Sequence, residues 1–497
     1  MGSSNKIVKG VFWTTALNIV NAVYGFVAVP ILINHFGKSE YGLIGLAMSV
    51  NVYMRLMDMG FNSTNVRFFS AWLSEKKNAK VSKAFETSLT LYGVIGLLNG
   101  VVLLGVSFFS EQIFNVTQEQ AEILKKLFYI LAFSAFCNWF SSCFDQLIKA
   151  TENVDWIQRR QLIPKCLQIL ILLATVCFSF SIELYYLLTC LAVLSIIPMS
   201  IIKIRKEVPL ISFIPGFDKD IFKEMLPYSL NIFSFGIFQF SFYNLRPVFL
   251  GMQGTIESVT DFRVLNGIIG VVHMLGGTFI PILLPSTAKV LARKEKEAYY
   301  RMAYDGTKYI SIILCFCTFG MMSIGPDAIT LYVGNDYLEL IPWFNLRLLC
   351  NLTTHNQAIS SLILAGSDIR AISYCSFISS VIGLLVTWVT IPIYQVGGVV
   401  IGYFIYGSIQ LCFFYMYYWP RTMKINSIKV LCYSFGPYLC IGSICYATVR
   451  LFPRNDNCWL NLFLFGAIFF MLYLTMSYLT LNDRDKSFCL SLIKKKL

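Results

Sequence analysis

Apolar runs of about twenty residues recur from one end of the chain to the other, the length that crosses a bilayer core of about 30 Å as a helix. They alternate with short polar stretches. The first six centre near Asn21, Ser49, Ile95, Ser134, Leu170 and Val193, and the next six near Ser234, Val271, Leu314, Leu349, Val381 and Ser408. Two more lie near Ile441 and Ile468. The pattern predicts an all-α, polytopic membrane protein with fourteen transmembrane helices. One run breaks the rule: the stretch YMRLMDMGFNST, Tyr53 to Thr64, closes the second apolar run and places Arg55 and Asp58 in it.

Composition agrees with the pattern. The 497 residues are 56% hydrophobic and only 13% charged, against about 25% charged in soluble domains. No segment outside the runs is long enough for a soluble domain. The net charge of +13 does not point to nucleic acid, because the basic residues sit in short connecting stretches and form no single patch. With the N-terminus cytoplasmic, SEKKNAKVSK (74–83), IQRRQLIPK (157–165), KIRKE (203–207), KVLARKEKE (289–297), the surroundings of Arg421 and Lys424 and the KKK tail all fall on the cytoplasmic side. That is the sense of the positive-inside rule. The opposite loops, around EQIFNVTQEQAE, GTIES and GPDAITLYVGND, are acidic or neutral at their centres. An even helix count with both termini cytoplasmic satisfies this segregation. Lys6 and Lys9 lead into a run too long for a signal-peptide core, so no cleaved leader is expected. Most of the fifteen cysteines lie inside apolar runs, without C-x-x-C or Cys/His metal spacing. They predict neither a disulfide framework nor a metal site.

The halves of the chain echo each other. PILINHFGKSEYGLIGL (30–46) and PVFLGMQGTIESVTDF (247–262) each place a proline ahead of a glycine between two runs. LIKATENV (147–154) and LILAGSDI (362–369) match at nearly the same separation, as do Ser63-Thr64 and Ser286-Thr287. A repeat of six helices keeps both halves parallel and relates them by an axis along the membrane normal. The expected domains are an N-terminal lobe 1–206 (helices 1–6), a C-terminal lobe 207–422 (helices 7–12), and 423–497 with helices 13 and 14 and a basic cytoplasmic tail. Two pseudo-symmetric six-helix lobes would enclose a central cavity.

FGKSEYGLIGLAMSV (36–50), LMDMGFNSTNVRFFS (56–70) and LIKATENVDWI (147–157) resemble the Wzx-type oligosaccharide-lipid flippases. These form the polysaccharide branch of the multidrug/oligosaccharidyl-lipid/polysaccharide exporter superfamily. The resemblance implies two lobes, two extra helices and alternating access. It also implies a polyprenyl-diphosphate-linked oligosaccharide, an O-antigen or capsule repeat unit, moved from the cytoplasmic to the periplasmic leaflet of the bacterial inner membrane. No cofactor is implied; coupling to H+ or Na+ is open. The implied partners are the lipid-linked glycan, membrane lipids, and polysaccharide polymerase and chain-length proteins, with no nucleic acid. Lys149-Ala150-Thr151 stands where many relatives carry a glycine before the turn.

A diphosphate is the costly part of such a cargo, since bare charge in hydrocarbon is prohibitive. Arginine offers a permanent charge and a planar donor fork for phosphate oxygens. Arg55, Arg246, Arg263 and Arg347 fall within runs and are the candidate diphosphate ligands. The resemblance implies that helices 1, 2, 7 and 8 line the cleft, which three of the four occupy. The bland readings are that Arg55 and Asp58, at i,i+3 spacing, neutralise each other, and that Arg246 snorkels to the interface. Asp58, Asp145, Asp261 and His273 are candidates for a gate or for ion coupling. His273 and His355 also fit satisfied interior histidines. Asn18, Asn21 and Asn51 could meet sugar hydroxyls or simply bridge helices. Pro227 and Pro247 bracket helix 7, a place for rocking.

Three other functions compete with this reading. A cation-coupled drug exporter of the same superfamily would favour buried carboxylates over arginines. A peptidoglycan lipid-precursor flippase shares the helix count and the diphosphate chemistry. A membrane enzyme acting on the same lipid would usually carry a large periplasmic loop and a catalytic set, and neither stands out in this sequence.

Overall fold

The computed structural model describes residues 2–209, 211–366, 370–483 and 485–486. Every regular element among them is helical. Among the described residues, ten helices are long and apolar enough to cross a membrane: 12–36, 78–108, 118–150, 154–178, 182–207, 296–333, 371–394, 396–423, 427–450 and 458–480. The four remaining expected spans are also helical, but two of them are broken. The chain divides into two compact units, Met1–Phe262 and Arg263–Leu497.

The first unit contains α1 (Gly2–Phe36), α2 (Lys38–Met54), a 3-10 turn at Arg55–Asp58, α3 (Phe61–Ser74), α4 (Asn78–Phe108) and α5 (Gln118–Ala150). It continues with α6 (Val154–Arg160), α7 (Leu162–Phe178), α8 (Ile182–Leu194), α9 (Ile196–Glu207), α10 (Lys219–Asn244) and α11 (Arg246–Gln253). The first turns of α12 (Ile256–Ala292) complete it. Local chemistry sets these boundaries. Thr117 and Gln120 form a reciprocal capping box that starts α5, satisfying two amides that the first helical turn cannot. The Ser181 hydroxyl accepts from the Leu184 amide to start α8. The Asp218 carboxylate accepts from the Asp220 and Ile221 amides to start α10. Phe69, Phe85, Tyr92, Cys143 and Leu147 are fully buried between α3, α4 and α5. Two loops brace the unit: Lys80 and Lys83 reach Glu224 and Asp218 at 2.7 and 3.3 Å, and Asn115 bonds the Gly251 and Gly254 carbonyls through its amide and side chain.

The second unit holds α13 (Lys296–Arg301), α14 (Thr307–Val333), α15 (Ile341–Asn351), α16 (Gln357–Gly366), α17 (Arg370–Tyr394), α18 (Val396–Phe413), α19 (Gly436–Arg450) and α20 (Cys458–Thr480). Wide π turns at Met302–Gly306, Phe414–Met423 and Val430–Phe435 surround the buried Tyr418 and Trp419. A span is broken here too, by a 3-10 turn at Leu352–Asn356 between α15 and α16.

Several sequence boundaries shift. GPDAITLYVGND was expected as a loop, but α14 continues to Val333 and carries Asp327 inside it. Asp327 is buried because Arg454 and Asn461 engage its carboxylate. IQRRQLIPK was also expected as a connection and is almost wholly helical, within the span 154–178. In the repeat pair LIKATENV and LILAGSDI, residues 367–369 lie outside the described residues. The cysteines among the described residues are free thiols.

Candidate functional site

The charged stretch at the end of α2 is where the span breaks. Met59 and Gly60 are both left-handed, with φ of 47° and 82°. Glycine reaches that region without the Cβ penalty, and a Cβ on Gly60 would lie 2.6 Å from the Ser229 carbonyl. Ser229 Oγ in turn donates to the Met59 carbonyl, so α10 supports the reversed turn. Arg55 and Asp58 do not neutralise each other as the i,i+3 spacing allowed. The 3-10 turn leaves Arg55 exposed, while Asp58 turns inward. Its carboxylate accepts from Tyr92 Oη at 2.5 Å and from the Asn62 amide at 3.0 Å, capping α3. Negative charge is favoured there by the amino-terminal end of the helix dipole.

Behind Asp58 runs a chain of buried hydrogen bonds. Gln146 Nε2 donates to Tyr92 Oη at 2.7 Å, Asn65 Nδ2 donates to Gln146 Oε1 at 2.6 Å, and Ser88 Oγ donates to Asn65 Oδ1 at 3.1 Å. Trp139 stacks on Tyr92 with ring centroids 5.6 Å apart. The network ties the break to α4 and α5, and each polar group in it has a partner, as burial demands. Sequence reading found Asp58 alone. Tyr92, Gln146, Asn65 and Ser88 look ordinary in apolar runs, and only their convergence from three helices marks them.

The remaining candidates distribute as follows. Asp145 was expected in apolar surroundings; Arg160 engages both its oxygens, at 2.8 and 3.0 Å, and also donates to Ser200. Asp261 is paired with Lys38 at 2.6 Å. Thr260 Oγ1 donates to the Lys38 carbonyl at 2.6 Å, and the same seam is so close that a Cβ on Gly42 would meet the Ile256 carbonyl at 2.4 Å. Arg246 does not snorkel: it is fully buried at the start of α11, with its guanidinium 3.5 Å from the Phe242 ring centroid. Asn18 is exposed, and Asn21 and Asn51 are half-buried.

In the second unit, Arg347 is buried on α15, 3.9 Å from the Tyr403 ring centroid, and donates to Asn351 Oδ1 at 3.1 Å. His273 Nδ1 lies 3.2 Å from that same oxygen, so α12 and α15 bring an imidazole and a guanidinium to one acceptor. Arg263 is half-buried. His355 is a satisfied interior histidine, with Nδ1 2.8 Å from the Leu352 carbonyl, Nε2 2.7 Å from Tyr415 Oη and Phe435 stacked on the ring.

A family model described as "Polysaccharide biosynthesis protein" matches residues 7–290, more than half of the chain. The chain belongs to the polysaccharide biosynthesis protein family. Among curated proteins no similar sequence is found. Among solved structures, the fold is similar to that of lipid II flippase MurJ in an inward closed conformation, with TM-score 0.74 and 14% identity over 94% of this chain and 98% of that one. It is also similar to an inward-facing multidrug resistance MATE family transporter of the MOP superfamily, with TM-score 0.54 and 12% identity over 87% and 96% of the two chains. The eukaryotic MATE transporter AtDTX14 matches with TM-score 0.55 and 13% identity over 82% and 94%. At these identities the likeness is one of fold. With ten apolar helices among the described residues and this fold, the family member is a multi-pass membrane protein.

Proposed function

We propose that the chain is a Wzx-type flippase that moves a polyprenyl-diphosphate-linked oligosaccharide, an O-antigen or capsule repeat unit, from the cytoplasmic to the periplasmic leaflet. It would do so by alternating access, coupled to H+ or Na+. In this reading fourteen helices form two six-helix lobes, 1–206 and 207–422, with 423–497 appended. Both termini are cytoplasmic in the bacterial inner membrane, and polymerase and chain-length proteins act on the product. The observation that carries the reading is the family match over residues 7–290, together with the burial of Arg246 and Arg347 in helices of the structure. Cations held there lower the barrier for a diphosphate that hydrocarbon would exclude. Three interior carboxylates, Asp145, Asp261 and Asp327, are each engaged by a cation of this chain, and Asp58 is held by Tyr92 and the Asn62 amide, which favours an anionic cargo over the organic cations of a drug exporter.

Deletion of the gene in its native host tests the reading: surface polysaccharide should be lost and lipid-linked repeat units should accumulate inside. Normal glycan export would end it. A second reading, a peptidoglycan lipid-precursor flippase, is supported by the fold likeness to the lipid II flippase MurJ. In that case the deletion would trap the peptidoglycan precursor and leave surface glycan synthesis competent. For the arginines, Arg263→Ala and Arg263→Lys are compared at matched expression. Alanine is expected to abolish export and lysine to retain part of it; wild-type export by the alanine variant removes Arg263 from the phosphate path.

A further inference from the structure

Lys165 stands in the first turn of α7, at the start of the apolar part of the span 154–178. The stretch expected as a connection is helical, so a cation assigned to a cytoplasmic loop lies on a helix. A lysine near a helix end normally runs its stem to the nearer interface. Lys165 does the opposite. Its Nζ donates to Gln168 Oε1 at 2.9 Å, one turn further into the span, and lies 4.6 Å from the centroid of the Tyr24 ring. Tyr24 is itself near the midpoint of the span 12–36 on α1. Gln168 is buried, which fixes the direction of the ammonium.

No carboxylate reaches Lys165 among the described residues. Its neighbours on the same segment differ: Arg159 is paired with Asp155 at 2.8 Å and Arg160 with Asp145 at 2.8 Å. An ionisable group inside a membrane helix is expensive and marks a pathway or a binding site. A neutral amide and an aromatic face orient the charge but do not cancel it. Asn21, one turn before Tyr24 and on the same face of α1, holds a buried Oδ1 with no hydrogen-bond partner among the described residues.

We propose that Lys165, oriented by Gln168 and Tyr24, binds a phosphate of the lipid-linked diphosphate cargo on the α1–α7 face at the start of α7, a site additional to the four arginines. This rests on the flippase reading above. The diphosphate of the cargo and the phosphate of bulk phospholipid share one chemistry, so the test separates them.

Full-length protein in nanodiscs is titrated with farnesyl diphosphate and, separately, scored for retained phosphatidylglycerol by native mass spectrometry. Lys165→Met should weaken farnesyl diphosphate binding about tenfold, Lys165→Arg should keep it within about threefold, and phosphatidylglycerol should be retained equally by all three. The ligand-free Lys165→Met protein should melt at or above the wild-type temperature, because a half-buried charge without a carboxylate partner has been removed. Unchanged diphosphate affinity in Lys165→Met overturns the site while leaving the flippase reading intact. So does a parallel loss of phosphatidylglycerol, which makes it a bulk-lipid contact, or a lowered melting temperature, which makes the lysine structural. Failure of the wild-type protein to bind the diphosphate overturns both readings.

Discussion

Arg160 and Lys165 stand little more than one turn apart on the same span, yet they are held in opposite ways. Arg160 is buried against both oxygens of Asp145. Lys165 meets an amide and a ring. The second unit repeats the contrast: Lys308 is buried against Asp485, with Tyr309 donating to the same carboxylate at 2.6 Å, whereas Arg347 has an amide and the Tyr403 ring. A charge at the centre of a membrane helix costs about 2.5–3.5 kcal/mol on insertion scales, and a cation–π contact returns about 0.5–2 kcal/mol. A carboxylate at hydrogen-bond distance closes that gap; a ring does not. The paired cations therefore hold the fold together, and those lacking a carboxylate remain available to an anionic ligand.

The largest effect should come from breaking a paired site. Asp145→Ala leaves the Arg160 guanidinium buried without its counter-charge and should cost about 3–5 kcal/mol, read as loss of a monodisperse folded peak and a large drop in melting temperature. Lys308→Met should act in the same direction by stranding Asp485, and its melting temperature should fall while that of Lys165→Met does not. Equal behaviour of those two lysine variants would erase the distinction. Arg347→Met is expected to leave melting within about 1 kcal/mol of wild type, since the charge has no buried carboxylate to strand, while glycan export in the native host falls. The smallest effect belongs to the exposed pair of Lys83 and Asp218. The Ile221 amide, with help from Lys83 and the Asp220 amide, holds the Asp218 carboxyl below its ordinary value. Its contribution is therefore complete above the usual carboxylate range and disappears as pH falls through the lowered folded value. Asp218→Asn should lower melting slightly at neutral pH, where the contribution is complete, and change it little below the lowered folded value, so that melting becomes less sensitive to pH in that acidic window.

Much of the fold was legible because bilayer helices announce themselves by run length. Most spans centred on the apolar runs are helices of the structure, and His355 packs as an interior histidine. Helix ends were less legible: GPDAITLYVGND carries turn-like residues, and α14 runs through it because Arg454, from the loop before α20, and Asn461, on α20, reach Asp327 and offset its burial. The site was partly legible. Arg55 and Asp58 were conspicuous, but spacing on an ideal helix paired them, and the left-handed Met59 and Gly60 separate them. Lys165 was read as a loop cation because it follows two arginines in a polar stretch.

The order of apolar and polar segments determined by itself that this chain is helical and crosses a membrane many times, since each backbone amide in hydrocarbon must be satisfied within its own helix. Which charges are neutralised was decided by tertiary structure alone. Asp145 finds Arg160, Asp58 finds Tyr92, and Lys165 finds no carboxylate among the described residues, because separate helices bring particular atoms within 3 Å or fail to. Electrostatic pairing falls off over such distances, and no pattern along a single strand of sequence encodes them.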